Sequence, residues 1–112
     1  MNHILEIRSY QLKPGTREEF HRLFLQAALP MLQRWSVDVV AYGPSLHDPD
    51  SYYLMRRYAS LAHREQSEDA FYGSDEWRQG PREAILALIE KYTEVVLALD
   101  ESTIQGLRRI GG

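Results

Sequence analysis

Hydrophobic and polar positions alternate along residues 3–12. An alternation of period two is typical of a β-strand that has one buried face. Leu5 and Ile7 fall on one face of this strand, whereas Glu6, Arg8 and Tyr10 fall on the other. The two faces of the predicted strand therefore differ in chemistry.

The next segment has the pattern of a helix. Thr16 is followed three residues later by Glu19, which predicts a capping box at the helix start. Apolar residues then recur every three or four positions and form one stripe: Phe20, Leu23, Phe24, Ala27, Met31 and Leu32. Pro30 is expected to kink this helix or to begin a new one, because proline has no N–H to donate.

The rest of the chain predicts two further strands, a second helical region and a last strand. Residues 37–42 and 51–58 are rich in β-formers and lie on either side of a Gly- and Pro-containing segment, which predicts a long-looped hairpin. Ser60 and Ser74 are candidate helix N-caps, and Gly80-Pro81 predicts a break. A second apolar stripe comprises Ile85, Leu88, Ile89 and Tyr92, and a strand is expected over 94–100.

The predicted order of strand, helix, strand, strand, helix, strand is that of a ferredoxin-like α+β sandwich. We expect one antiparallel four-stranded sheet with helices on one face. Residues 1–100 form the predicted domain, and residues 101–112 form a C-terminal tail expected to fray or to lie over a neighbour. A chain of 112 residues has room for a single core, which makes oligomerisation plausible.

Each helical region has one apolar stripe, so both are expected to cover the same sheet face. The apolar face is the natural choice, and it carries Leu5, Ile7, Val95, Leu97 and Leu99. The opposite face would then remain bare; its expected members are Glu6, Arg8, Tyr10, Tyr52, Leu54, Arg56, Tyr58, Glu94, Val96 and Ala98. We expect a partner sheet or a ligand to cover that mixed surface.

Composition narrows the class of protein. The net charge of −3, with no block of like charges, argues against a nucleic-acid-binding surface. The chain has no cysteine, which excludes disulfides and thiolate chemistry. No apolar stretch approaches the ~20 residues of a membrane helix, and no targeting segment is evident at the start, so we expect a cytoplasmic protein without a membrane partner.

The strongest candidate site combines arginines and tyrosines on the first and third strands, which are neighbours in a ferredoxin-like sheet. Guanidinium groups bind carboxylate or enolate oxygens, and phenols can donate hydrogen bonds to developing charge. The predicted substrate-binding residues are Arg8, Tyr10, Tyr42, Arg56 and Tyr58. The alternative is that Glu6, Asp38 or Glu94 neutralises the arginines in structural ion pairs.

Glu6 is the candidate catalytic residue, as a general base whose pKa is raised by burial. The alternative for Glu6 is again simple pairing with a nearby arginine. The four histidines do not stand at metal-ligand spacing, and we expect neither a metal site nor a cofactor.

Several short motifs together resemble the NIPSNAP family. They are Glu6-x-Arg8-x-Tyr10-x-Leu12-x-Pro14-Gly15, Leu29-Pro30, Tyr58-x-Ser60-Leu61 with Arg64-Glu65, and Asp75-x-Trp77. The resemblance extends over about residues 4–99 and implies a dimeric α/β barrel, in which two subunits bring their bare sheet faces together around a cavity. It would place Glu6, Arg8 and Tyr10 toward that interior.

The resemblance leaves the activity open, because the wider superfamily includes cofactor-less monooxygenases, haem-degrading enzymes, isomerases and plain ligand binders. The leading hypothesis is a homodimer that binds a small organic acid or aromatic molecule in the barrel, as a cofactor-less monooxygenase or isomerase. The alternative is a non-catalytic homodimeric interaction module whose barrel interior is simply packed.

Overall fold

The computed structural model describes residues 2–108 and contains one antiparallel four-stranded sheet. Its strands are β1 (Asn2–Leu12), β2 (Asp38–Pro44), β3 (Ser51–Tyr58) and β4 (Ile89–Asp100). They are arranged in the order β2-β3-β1-β4, so that β1 lies between β3 and β4. This confirms the ferredoxin-like fold and the predicted neighbourhood of the first and third strands.

The first helical region continues without a break from α1 (Arg17–Leu23) through a π-helical turn (Phe24–Ala28) into α2 (Leu29–Arg34). The wide turn comes just before Pro30, where a regular hydrogen-bond ladder would need the missing N–H. Pro30 therefore opens a new α-helical segment, as expected. The predicted capping box is wrong: the Thr16 hydroxyl donates to the carbonyl of Lys13 instead of accepting from the helix.

The second helical region consists of α3 (Leu61–Tyr72), α4 (Asp75–Gln79) and α5 (Arg82–Leu86). Ser60 and Ser74 both act as N-caps, and their hydroxyls accept hydrogen bonds from backbone N–H groups three residues on. The helical reading of Ile89 and Tyr92 is wrong, because both residues belong to β4. Pairing with the full length of β1 determines this early strand start.

The strand register confirms which residues share a face but reverses the face that the helices cover. Glu6 lies opposite Arg56 on β3 and opposite Val96 on β4. The helices nevertheless cover this polar face. Its members Tyr10, Tyr52 and Tyr58 belong to the main core with helix residues such as Phe20, Phe24, Phe71 and Trp77.

The opposite, apolar face is largely open. Val95 is 49% exposed and Leu97 is 37% exposed. Part of this face is covered by α6 (Glu101–Leu107), whose fully buried Ile104 packs in a second core cluster with Leu5, Val40 and Ala41. The first part of the expected tail is thus an ordered helix; residues 109–112 lie outside the described residues.

No helix in residues 2–108 is long and apolar enough to cross a membrane.

Candidate functional site

Glu6 is the centre of a buried cluster of charges. The alternation of β1 directs this side chain under the helices, where it is 0% exposed. It accepts hydrogen bonds from the Nε atoms of Arg8 and Arg56, both at 3.0 Å. Its second oxygen accepts from Nε of Arg64 at 2.7 Å. One carboxylate is therefore bound by three guanidinium groups from β1, β3 and α3.

Glu68 of α3 is a second acceptor in the same cluster. Nη2 of Arg8 donates to it at 3.2 Å, Nη2 of Arg56 at 3.3 Å and the hydroxyl of Tyr58 at 3.1 Å. Glu94 of β4 adds a third carboxylate, 3.3 Å from Arg8 and 3.0 Å from Arg64. Three arginines thus meet three glutamates beneath α3.

The cluster resolves part of the question that the sequence left open. Glu6 and Glu94 do neutralise the arginines, whereas Asp38 pairs with Arg57 and Arg108, away from the cluster. Among residues 2–108, every buried side-chain nitrogen and oxygen has a hydrogen-bond partner. Burial of the polar face is tolerated because α3 supplies the missing charges.

Arg64 and Glu68 were missed by sequence reasoning as site residues. Together with Tyr72 they recur every four residues, so the three lie on one face of α3. Hydroxyl Oη of Tyr72 accepts from Nη1 of Arg56 at 2.8 Å, which extends the cluster by one turn of the helix. The signal available in the sequence was the four-residue spacing of these polar side chains, which puts them on one helix face that could pair with the charged residues of β1.

Glu6 and Glu68 titrate as a coupled pair with opposite shifts. Burial opposes ionisation of Glu6, but a hydrogen bond with Glu68 and the charges of Arg56 and Arg8 outweigh it, and the pKa of Glu6 falls to about 2. Burial, the hydrogen bond with Glu6 and the negative charge of Glu6 together raise the pKa of Glu68 to about 7, against the opposing charges of Arg56 and Arg8. Below neutral pH the pair therefore holds one proton, on Glu68.

An open pocket of about 800 Å³ lies against the edge of this cluster, between β1, β4 and the second helical region. Its polar rim includes Arg8, Glu68 and Glu94. Its aromatic and apolar wall is formed by Tyr10, Tyr72, Trp77, Ile85, Leu86, Ile89 and Tyr92. The pocket offers an apolar surface beside a guanidinium and a carboxyl group, which is the composition of many small-molecule sites.

Only some of the predicted binding residues line this pocket. Arg8 and Tyr10 do so. Arg56 and Tyr58 are 1% exposed and belong to the buried cluster instead of the pocket wall. Tyr42 packs against Phe24 and lines a separate pocket of about 830 Å³ near the β2–β3 loop. Glu6 contacts Arg8 and Glu68 but does not line the pocket.

The three carboxylates of the cluster come close enough to share a cation, with oxygen atoms within 4.8 Å of one another. Each of them, however, already binds at least two guanidinium groups. A metal ion would have to displace these cations, so the arrangement favours an arginine-filled cluster over a metal centre.

Comparison with known proteins agrees with this architecture. The NIPSNAP family model matches residues 5–101. The chain belongs to the NIPSNAP family. No curated protein matches the chain significantly.

Solved structures of other NIPSNAP proteins share the fold. A NIPSNAP family protein from Agrobacterium tumefaciens superposes with a TM-score of 0.80 at 20% identity, covering 88% of this chain and 87% of that one. An uncharacterised NIPSNAP-like domain protein from Burkholderia xenovorans gives a TM-score of 0.80 at 20% identity, covering 88% and 86%. These likenesses establish the fold of the NIPSNAP chain.

A protein with a different name is also similar. A chain from Bordetella bronchiseptica, provisionally named an antibiotic biosynthesis monooxygenase, has a TM-score of 0.65 and 19% identity and covers 90% of this chain and 98% of that one. This likeness shows a shared fold alone, so the function has to be argued from the site.

Proposed function

We propose that the protein binds a small, partly anionic organic molecule in the pocket between the sheet and the helices. The observation that carries the proposal is the position of Arg8 at the rim of an aromatic-lined cavity of about 800 Å³. Among residues 2–108, each terminal nitrogen of Arg8 donates one hydrogen bond, to Tyr72 or to Glu68. One N–H of each is left to bind a ligand oxygen.

We further propose that proton transfer to or from the bound molecule is the chemistry of the site. Arg8 would hold the developing oxyanion, Tyr10 would orient the ring and the Glu6–Glu68 pair would carry the proton. Proton removal is a step that a cofactor-less monooxygenase and an isomerase share. The fold shared with the Bordetella protein, which is provisionally named a monooxygenase, supports the first of them.

We propose that the functional unit is a homodimer formed through the open sheet face. Val95 and Leu97 lie exposed there beside the partly buried Ile7, in a single apolar surface. Burial of this surface against a second copy is a favourable way to remove it from water. The ligand sites would then lie on the helix side of each sheet, outside the barrel formed by the two sheets.

Native mass spectrometry of freshly purified protein tests both the binding of a ligand and the formation of a dimer. We expect a dimer with one small molecule bound per chain. Arg8→Gln should lose the ligand, whereas Arg57→Gln should retain it, because Arg57 points to the other face of β3 and pairs with Glu101. A dimer without added mass, or equal retention in both variants, would contradict the binding proposal, and a monomer would contradict the dimer.

The second candidate is the non-catalytic interaction module. The complete pairing of buried polar groups in the described residues favours it, because a purely structural network requires each of these groups to have a partner within the protein. An empty dimer in the same spectrum would support this candidate.

A further inference from the structure

We infer that Glu68 takes up a proton when the pocket binds an organic anion, so that anion and proton enter the site together. The inference rests on the proposed binding function. It adds that the affinity for an anionic ligand depends on pH. It also assigns the proton to a residue of α3 that sequence reasoning did not single out.

Geometry selects Glu68 over the other carboxyl groups. Glu68 lines the pocket beside Arg8, and its side chain is 15% exposed, so a ligand can approach it. Glu6 is 0% exposed and is bound by three guanidinium groups. Glu94 is more open to water, at 36% side-chain exposure. Of the three carboxyl groups in the cluster, Glu68 is the one that is at once shielded from water, next to a second carboxylate and in reach of a ligand.

The charge balance of the cluster explains the linkage. Arg8, Arg56 and Arg64 carry three positive charges, which Glu6, Glu68 and Glu94 cancel when all three are ionised. Protonation of Glu68 leaves one excess positive charge next to the pocket. An anion held by Arg8 would therefore meet an attractive site when Glu68 is neutral and a repulsive carboxylate when it is ionised.

The surroundings of Glu68 keep its titration near neutral pH. The charged and titratable groups that face Glu68 are Glu6 and Arg8 from β1, Arg56 and Tyr58 from β3, Glu94 from β4, and Arg64 and Tyr72 on its own helix. The same pocket is also lined by Tyr10, Asp69, Arg82 and Tyr92. Burial and the neighbouring Glu6 place the pKa of Glu68 at about 7. Burial also raises the pKa of Tyr10 to about 12, so this phenol stays neutral in the range of interest.

His63 packs beside one member of this arrangement, Tyr58. Its ring lies edge-on to Tyr58 at 5.6 Å between centroids, and its Nδ1 accepts a hydrogen bond from the Ala59 N–H. His63 therefore meets the cluster at Tyr58.

The experiment uses benzoate as the anionic probe and benzamide as its neutral isostere. NMR titrations of the full chain measure both dissociation constants at about pH 6 and about pH 8, where benzoate remains ionised. Because Glu68 loses its proton across this interval, we expect benzoate to bind roughly five- to tenfold more weakly at the higher pH. Benzamide should bind equally at both.

Two charge-matched variants assign the effect. Glu68→Gln cannot ionise, so benzoate should bind with the same affinity at both pH values. Glu94→Gln also removes one negative charge next to Arg8 and Arg64, and it should strengthen benzoate binding at both pH values while keeping the ratio between them. The inference is overturned if the pH effect survives in Glu68→Gln or disappears in Glu94→Gln.

A measurement on the unaltered chain covers the case in which Glu68→Gln does not fold. With ¹³C in the glutamate carboxyl groups, saturating benzoate should move one titration near neutral pH upward by about one pH unit, since linkage is reciprocal. No movement would overturn the inference, as would the absence of benzoate binding at either pH. Equal, pH-independent binding of both probes would overturn the linkage alone and leave the proposed binding function standing, whereas failure of that function appears as an empty dimer in the mass spectrum.

Discussion

At the scale of the residue, one carboxylate determines how the polar face of the sheet can be buried. Glu6 binds Arg8, Arg56 and Arg64 at once. Removing one partner of a buried ion pair leaves the others uncompensated, which costs far more than the pair contributes in net stability. Glu68 differs, because it exchanges its proton near neutral pH.

Glu6→Gln is therefore expected to destabilise the fold strongly. It leaves three arginines facing one fewer negative charge, and we expect a loss of about 3–5 kcal/mol in the free energy of unfolding. Glu94→Gln serves as the control, since its carboxylate is partly exposed and should cost less than about 1 kcal/mol. Urea denaturation of the two variants measures the difference, and similar losses would argue against a central role for Glu6.

Glu68 should also make stability depend on pH. Its pKa is raised to about 7 in the folded state from an ordinary 4.5, so its stabilising contribution is complete below about pH 4.5 and is lost as pH rises through 7. Glu6 acts in the opposite sense: its contribution is present above about pH 4.5 and is lost as pH falls toward 2.

Between about pH 5 and 8 the wild-type chain should consequently lose roughly 1–3 kcal/mol relative to Glu68→Gln. Denaturation curves of both proteins over this range measure it. Parallel stability profiles would show that Glu68 does not titrate there.

At the scale of the element, α3 is unusual because the side that packs on the sheet is polar. Its sheet-facing side carries Arg64, Glu68 and Tyr72, whereas Leu61 at its start is 59% exposed. The helix docks by matching charges with the strands, and Phe71 adds apolar contact at its end. Helix α6 instead docks through apolar contact, on the opposite face of the sheet, with Ile104 as its one fully buried side chain.

Ile104→Ala should therefore release α6 from the sheet. Truncation of a fully buried isoleucine costs about 2–5 kcal/mol, less if the site collapses. Hydrogen exchange should speed up in α6 while the amides of the central strands stay protected. Thr103→Ala is the control, because Thr103 is exposed and its truncation leaves the buried Ile104 contact in place. Equal protection of α6 in both variants would contradict this packing.

The sequence could predict the elements but not which sheet face they cover. Alternation located β1, richness in β-formers located β3, and the two together placed Arg8 and Arg56 on one face. The serine caps located two helix starts. The covered face depended on Arg64, which lies 58 residues from the Glu6 it binds, and no local pattern reveals such a contact. Glu68 was missed for the same reason, because it contacts Arg8 from a distant part of the sequence. The start of β4 at Ile89 was missed as well, because it depends on pairing with β1.

At the scale of the whole molecule, the two sheet faces differ in their chemistry and in what covers them. The polar face is buried under the helices and borders the pocket, while the apolar face lies open beyond α6. This exchange of faces moves the proposed ligand site from the barrel interior to the space between sheet and helices. Dimerisation and ligand binding should then be separable.

Val95→Asp should accordingly break the dimer without unfolding the subunit. The residue is 49% exposed in the chain, so the charge is tolerated in a monomer but not within an apolar interface. Leu61→Asp, an exposed apolar position on the helix side, is the matched control and should remain dimeric. Analytical ultracentrifugation distinguishes them; a dimeric Val95→Asp protein would place the interface elsewhere.

A crystal structure of the protein with benzoate bound tests the central claim most directly. The account predicts a carboxylate on Arg8 next to Glu68, beneath the second helical region, and a partner subunit against Val95 and Leu97 on the other face of the sheet. A ligand enclosed between the sheets of two subunits, with no contact to Arg8, would contradict it.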